Sequence, residues 1–181
     1  MVLLLSALKK AHRHEKKLAR IDNLTGAINS RFFYELMQKE IDRSQRNLQP
    51  LTVVYVDLDN FKFVNDNFGH SVGNQVLIAV VEQAKSHLRK VDVIARLGGD
   101  EFVFLLPETD QIAAHAAILK LQVCLLDEMR SNNWPVTFSI GVLTCLEPPQ
   151  TIDELIRQAD DLMYSVKDNG KNSCNYSIYT G

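Results

Sequence analysis

The stretch Val91-Asp92-Val93-Ile94-Ala95-Arg96-Leu97-Gly98-Gly99-Asp100-Glu101-Phe102-Val103-Phe104-Leu105-Leu106 decides how this chain is read. Two short apolar runs, Val91 to Leu97 and Phe102 to Leu106, flank Gly98-Gly99-Asp100-Glu101, the signal of a Gly-containing hairpin. Glycines there let the backbone turn tightly and let a ligand come close to it. The same turn carries two carboxylates, Asp100 and Glu101. Upstream, Pro50 marks the entry to Leu51-Thr52-Val53-Val54-Tyr55-Val56, a β-rich run that reads as a buried central strand and stops at Asp57-Leu58-Asp59. Carboxylates at the C-terminal lip of a central strand stand where open α/β sheets place their ligands.

Outward from these strands, helical and extended patterns alternate. Helices are expected from Ser30 to Arg46, Asn60 to Phe68, Val72 to Arg89, Asp110 to Arg130 and Thr151 to Lys167. The last of these has Asp153 and Glu154 early and Lys167 late, as the helix dipole favours. Further strands are expected from Val136 to Leu143 and from Tyr176 to Tyr179. This order predicts an α/β (α+β) domain, a mixed β-sheet with helices on its faces. Leu3 to Ile21 holds no Gly or Pro, and Leu4, Leu8, Ala11, Glu15 and Leu18 follow alternating spacings of four and three. That pattern fits either a short coiled-coil stalk or a helix docked on the domain's own core. Residues 1–20 are accordingly read as a stalk or linker helix and 21–181 as the domain.

Composition narrows the partners. The 181 residues carry a formal net charge of −2, which provides no basic field for tracking a nucleic-acid polymer. Any phosphate is therefore held by a local site, which points to a small nucleotide. Cys124, Cys145 and Cys174 are widely spaced and in no CxxC pattern, so reduced thiols in a cytoplasmic domain are expected, without disulfide or zinc. The apolar start Val2 to Leu8 falls short of the ~20 residues that span a bilayer.

The two acidic pairs would repel one another unless a cation sat between them. Hard oxygen donors of this kind suit Mg²⁺ or Mn²⁺, with substrate phosphates completing the octahedron. Phe61-Lys62 opens a helix directly after Asp59, where free N–H groups and the Lys62 ammonium can hold a phosphate tail. Lys167 and Lys171, four apart, share a helix face. Asn65 and Asn74 carry amides able to read a base edge.

Five segments, in order, resemble the GGDEF family of diguanylate cyclases. Arg96 to Phe102 matches the signature that names the family. Asp22-Asn23-Leu24-Thr25-Gly26-Ala27-Ile28-Asn29-Ser30-Arg31 resembles its D-x-L-T-G-L-x-N-R-R, with Ser30 replacing an Arg. Asp57 to Asp66 resembles D-x-D-x-F-K-x-x-N-D, and Phe68 to Asn74 resembles Y-G-H-x-x-G-D. Ala159-Asp160-Asp161-Leu162-Met163-Tyr164 through Lys167 to Asn172 resembles A-D-x-A-M-Y-x-A-K-x-x-G-R-N. The resemblance runs from about residue 20 to the end.

It implies a palm-like domain similar to class III nucleotide cyclases, condensing two GTP into cyclic di-GMP and two pyrophosphates across a homodimer. Asp57, the Leu58 carbonyl and Asp100 would hold two divalent metals, with Glu101 assisting there or accepting the hydroxyl proton. The main chain at Asn60, Phe61 and Lys62, with Lys167 and Lys171, would cradle the β- and γ-phosphates. Asn65, His70 and Asn74 would contact guanosine. Arg89 and Asp92 stand at the spacing of the family's inhibitory RxxD site for cyclic di-GMP. An upstream sensory domain is implied outside this chain. Two positions depart from the pattern. Asn74 replaces an Asp that accepts from both guanine N–H groups, which implies weakened or relaxed base selectivity. Lys171 replaces an Arg and loses its planar fork on phosphate. The competing readings are a cyclic di-GMP receptor without turnover, and an allosteric GTP sensor attached to a phosphodiesterase.

Overall fold

A computed structural model describes residues 20–147 and 151–179. Strand β1 (Ile28–Asn29) leads into helix α1 (Ser30–Asn47), then strand β2 (Leu51–Asp59) and helices α2 (Phe61–Phe68) and α3 (His70–His87). Strands β3 (Val93–Gly98) and β4 (Glu101–Pro107) form the hairpin. Helix α4 (Gln111–Ser131), strand β5 (Thr137–Cys145), helix α5 (Ile152–Asp168) and strand β6 (Ser173–Tyr179) complete the order. The strands make one six-stranded sheet in the order β1-β3-β4-β2-β5-β6. β1/β3 and β5/β6 are parallel and the other pairs antiparallel, so the sheet is mixed as expected.

All nine residues of β2 are buried, because helices cover both faces of the sheet at its centre. Alternation then divides the core in two. Val54, Val56 and Leu58 point toward α3 and α4, where they meet Phe102, Phe104 and Phe138. Leu51, Val53 and Tyr55 point toward α1 and α5, with Phe33, Met37 and Met163. Asp57 and Asp59 continue this second row, so both carboxylates leave the sheet on the α5 side.

Helix ends follow local chemistry. Asn29 caps α1 by accepting from Phe32 N at 3.0 Å, and Asp110 caps α4 by accepting from Ala113 N at 2.8 Å. α3 begins two residues before the expected Val72, directly after Gly69, whose φ of 85° starts the new helix. β6 starts three residues before the expected Tyr176, because parallel pairing with β5 from Ser139↔Ser173 supplies bonds that its polar residues do not advertise. β1 is too short for any sequence pattern. The helix expected from Leu3 to Ile21 lies outside the described residues except for its end, where Ile21 forms an isolated antiparallel bridge with Ile28.

Gly141 on β5 is where α5 seats on the sheet. A Cβ there would lie 2.2 Å from Ala159 O and 2.5 Å from Met163 N, both backbone atoms that cannot step aside. Gly141→Ala should therefore cost about 1–3 kcal/mol or more in urea unfolding, by forcing α5 off the sheet. A variant as stable as the parent would show that the helix rides higher.

Candidate active site

Gly98 pairs with Glu101, which leaves Gly99 and Asp100 as the hairpin tip, and the register shifts between Arg96 and Gly98. Gly99 takes a φ of 49°, in the region that glycine enters without penalty. The tip is pinned from three sides. Arg96 donates to Gly99 O from Nε at 3.0 Å and from Nη2 at 2.6 Å. Its Nη1 reaches Asp22 Oδ1 at 3.1 Å. On the third side, Leu58 N donates to Asp100 O at 3.3 Å. Asp22 is itself fixed by Thr25, whose N and Oγ1 both donate to its Oδ1, at 2.9 and 2.6 Å. The Asp22-to-Gly26 segment, quoted above without a role, is thus the anchor of the hairpin. Its sequence signal is an Asp three residues before a Thr, an Asx-type turn.

With the tip so placed, Asp57 on β2 stands directly across from Glu101 on β4. Burial pushes the Asp57 carboxyl up, and the nearby Asp100 and Asp59 add to this, while Lys167 opposes it. Burial likewise raises Glu101, followed by repulsion from Asp57, Asp160 and Asp100. The carboxylates crowd one another as expected. The cation that answers them is Lys167, whose Nζ lies 2.7 Å from Asp57 Oδ2. Lys167 therefore does not stand free for a phosphate; it sits on the carboxylate expected to ligate metal. Among the described residues no three carboxylate, imidazole or thiol side chains converge to hold a metal by themselves. Asp57, the Leu58 carbonyl and Asp100 are hard oxygen donors that fit a hard divalent cation, and their small number leaves coordination positions for other oxygen ligands.

A cleft of about 510 Å³ opens beside them. Of the expected residues it is lined by Asp57, Leu58, Asn60, Phe61, Lys62, Asp100, Lys167 and Lys171, and Phe63, Asp66 and Asn67, given no role above, add a wall. Asn60 precedes α2 in a left-handed conformation, φ 63°, and makes no side-chain cap. The first N–H groups of α2 are thus not satisfied by a cap, in a wall of the cleft, as a phosphate requires. Asp59 borders the cleft but is committed to structure. It accepts from Ser139 Oγ at 2.7 Å, Thr137 Oγ1 at 2.8 Å and Asn172 N at 3.2 Å. The last bond holds the left-handed turn that carries Lys171, φ 65°.

The residues expected at guanosine are not brought into this cleft's lining. Asn65 sits between α2 and α3, where its Oδ1 occupies the place that a Cβ on Gly73 would need, 2.1 Å away. Gly73 is what admits it. His70 and Asn74 are exposed on the first turns of α3. Arg89 and Asp92 lie apart, beyond the end of α3. Arg89 Nη2 contacts Asp92 Oδ1 at 2.7 Å, Pro107 O at 2.8 Å and Thr109 Oγ1 at 2.6 Å. They line a separate recess of about 140 Å³. Among the described residues no helix is long and apolar enough to cross a membrane.

The sequence matches the family model "Diguanylate cyclase, GGDEF domain" over residues 19–173. It is 36% identical over 172 residues to the bifunctional diguanylate cyclase/cyclic di-GMP phosphodiesterase MucR of Pseudomonas aeruginosa, covering 94% of this chain and 25% of that protein. It is 34% identical over 164 residues to the diguanylate cyclase DgcM of Escherichia coli, covering 91% of this chain and 40% of DgcM. The chain thus spans less than half the length of these curated relatives. A solved microbial GGDEF domain, described for its interaction mode with bis-(3,5)-cyclic di-GMP, superposes with a TM-score of 0.76 at 34% identity, over 90% of this chain and 99% of that one. The coiled coil and GGDEF domain of DgcB from Caulobacter crescentus superposes with a TM-score of 0.80 at 21% identity, over 97% of this chain and 95% of that one, and shows the shared fold.

The Asp22–Arg96 anchor makes a pH-dependent contribution. Burial raises the Asp22 carboxyl, but the hydrogen bonds from Thr25 and Arg96 outweigh it and hold it below its ordinary 3.8. A carboxyl depressed in the folded state stabilises fully above its unfolded value and ceases to do so as pH falls through the folded one. Asp22→Asn should cost about 1–2 kcal/mol in urea unfolding at pH 7. The difference should narrow below pH 3.8. A penalty that stays constant down to pH 2.5 would contradict the ion pair's role.

Proposed function

The chain belongs to the diguanylate cyclase GGDEF domain family, and from that premise we propose that it condenses two GTP into cyclic di-GMP and two pyrophosphates. The observation that carries this reading is one cleft in which Asp57 and Asp100 share the lining with the uncapped start of α2 and Lys171, while Glu101 stands across from Asp57 on β4. Metal donors and phosphate donors therefore border the same space. The family's divalent cations, Mg²⁺ or Mn²⁺ and two per site, would be held by Asp57, the Leu58 carbonyl and Asp100, and would supply Lewis-acid activation of the 3′-oxygen and charge relief at phosphorus.

The chain's own residues do the rest. Amide groups at Asn60, Phe61 and Lys62 bind the β- and γ-phosphates. Lys167 leaves Asp57 when metal and triphosphate enter and turns its ammonium to the phosphate oxygens. Glu101, raised by burial and by its carboxylate neighbours, is suited to take the 3′-hydroxyl proton. Asn65, His70 and Asn74 set the guanosine side, and Asn74, an amide able to pair with adenine as well, relaxes the choice of base. One domain offers one such cleft, so turnover needs two copies facing each other. Arg89 and Asp92, already joined at 2.7 Å beside an open recess, would bind the product and hold the domains apart.

The test is product analysis with Mg²⁺ and the chain fused to an obligate dimeriser. GTP should yield cyclic di-GMP, and a GTP/ATP mixture should add a mixed product. Asp57→Asn should lower the rate by about 10²-fold or more. Arg89→Ala should raise the final yield. Absence of any cyclic dinucleotide would overturn the cyclase reading in favour of a receptor, and an unchanged final yield in Arg89→Ala would remove the inhibitory site.

A further inference from the structure

The wall that α2 gives to the cleft carries an exposed aromatic pair. Phe63 is 52% exposed and Phe68 50%, and their rings meet edge-on with centroids 6.4 Å apart. Phe63 lines the cleft beside Lys62, Asp66 and Asn67, all exposed. Large apolar rings left in water next to a binding site call for an occupant.

The nucleotide of the same chain is not that occupant. Asn65, the amide expected to read the base, is packed against Gly73 between α2 and α3. Phe63 lies two residues earlier, about 200° round the helix at 100° per residue, so the two side chains leave α2 on opposite sides. Phe63 therefore leaves α2 away from the base side, and the Phe68 ring, outside the cleft lining, meets it edge-on.

We propose that Phe63 and Phe68 are the contact surface for a second copy of this chain when two loaded clefts close on each other. This deepens the cyclase reading and rests on it, since a single cleft holds half of the reactants. The surface is self-complementary. Lys62 and Asp66 are four apart on α2 and flank Phe63, and neither is in an ion pair among the described residues. A two-fold axis across the middle of α2 sets Asp66 of one copy toward Lys62 of the other, with the aromatic rings between, as an isologous contact requires. Its size decides its lifetime. At about 150–250 Å² per aromatic side chain, two half-exposed rings offer roughly 200 Å² per copy. That is well under the ~1,200 Å² of a stable interface, so the contact forms transiently in the reaction complex.

Two measurements test this on the full chain. In the first, GTP affinity with Mg²⁺ is compared with the rate of product formation as a function of protein concentration. Phe63→Ser should keep GTP affinity within about twofold, lower the rate at least tenfold at low concentration, and recover when the chains are fused to a dimeriser. Phe63→Trp should keep the parent's rate. A parallel loss of GTP affinity would make Phe63 a nucleotide platform, and an unchanged rate would leave it without a role; either overturns the proposal. The second needs no turnover. Phe63→Cys, with Mg²⁺ and α,β-methylene GTP, should be cross-linked between copies by a short bismaleimide where the parent, with its native cysteines, is not. No added cross-link would refute the contact itself. A cross-link without any cyclic dinucleotide from the parent would instead retain the contact and refute the cyclase reading.

Discussion

Everything at the candidate site depends on one guanidinium. Arg96 holds the carbonyl of Gly99 with two N–H groups and reaches with a third to Asp22, so a two-residue turn that would otherwise swing freely is tied to the beginning of the domain. Only with that turn in place does Glu101 stand across from Asp57, and only then does Asp100 reach the end of β2. A hairpin is a cheap way to carry carboxylates, but its tip is ordinarily mobile. Here charge-assisted bonds supply the rigidity that the proposed metal donors need.

The second constraint is electrostatic. Asp57 is 6% exposed, and leaving it there with Asp100, Asp59 and Glu101 nearby would be costly without a cation. Lys167 answers that cost in the structure as it stands. The same ammonium is the group expected to meet a triphosphate, so it links the two charge patterns. Under the proposed function, positive charge arriving with the nucleotide would release Lys167 toward the phosphates. Asp59, two residues from Asp57 and identical in type, has the opposite fate. Ser139, Thr137 and Asn172 satisfy it fully, and it becomes the bracket between β5 and the turn carrying Lys171.

Much of this was legible in the sequence. β2 and the hairpin were readable because apolar runs bounded by Pro and Gly leave few alternatives, and the lining of the cleft follows from which residues end β2 and begin α2. What was not legible depends on partners distant in the chain. Nothing local to Asp59 distinguishes it from Asp57; the difference is made by residues on β5, far along the chain. Nothing local to Asp22 announces a bond to Arg96. β6 reads as four residues and forms seven, because its polar first half gains order only from the parallel strand beside it. Phe63 reads as an interior position of a short helix, and only the packing of α2 against α3 turns it outward.

The central claim is that chain and nucleotide each supply part of one metal site. It is tested most directly by titrating Mn²⁺ into the chain by electron paramagnetic resonance, with and without a non-hydrolysable GTP analogue. Interdependent binding is predicted: weak Mn²⁺ uptake by the chain alone, tight uptake with the nucleotide, and loss of that gain in Asp100→Asn. Equal Mn²⁺ affinity with and without nucleotide, or tight nucleotide binding in the presence of a chelator, would contradict it.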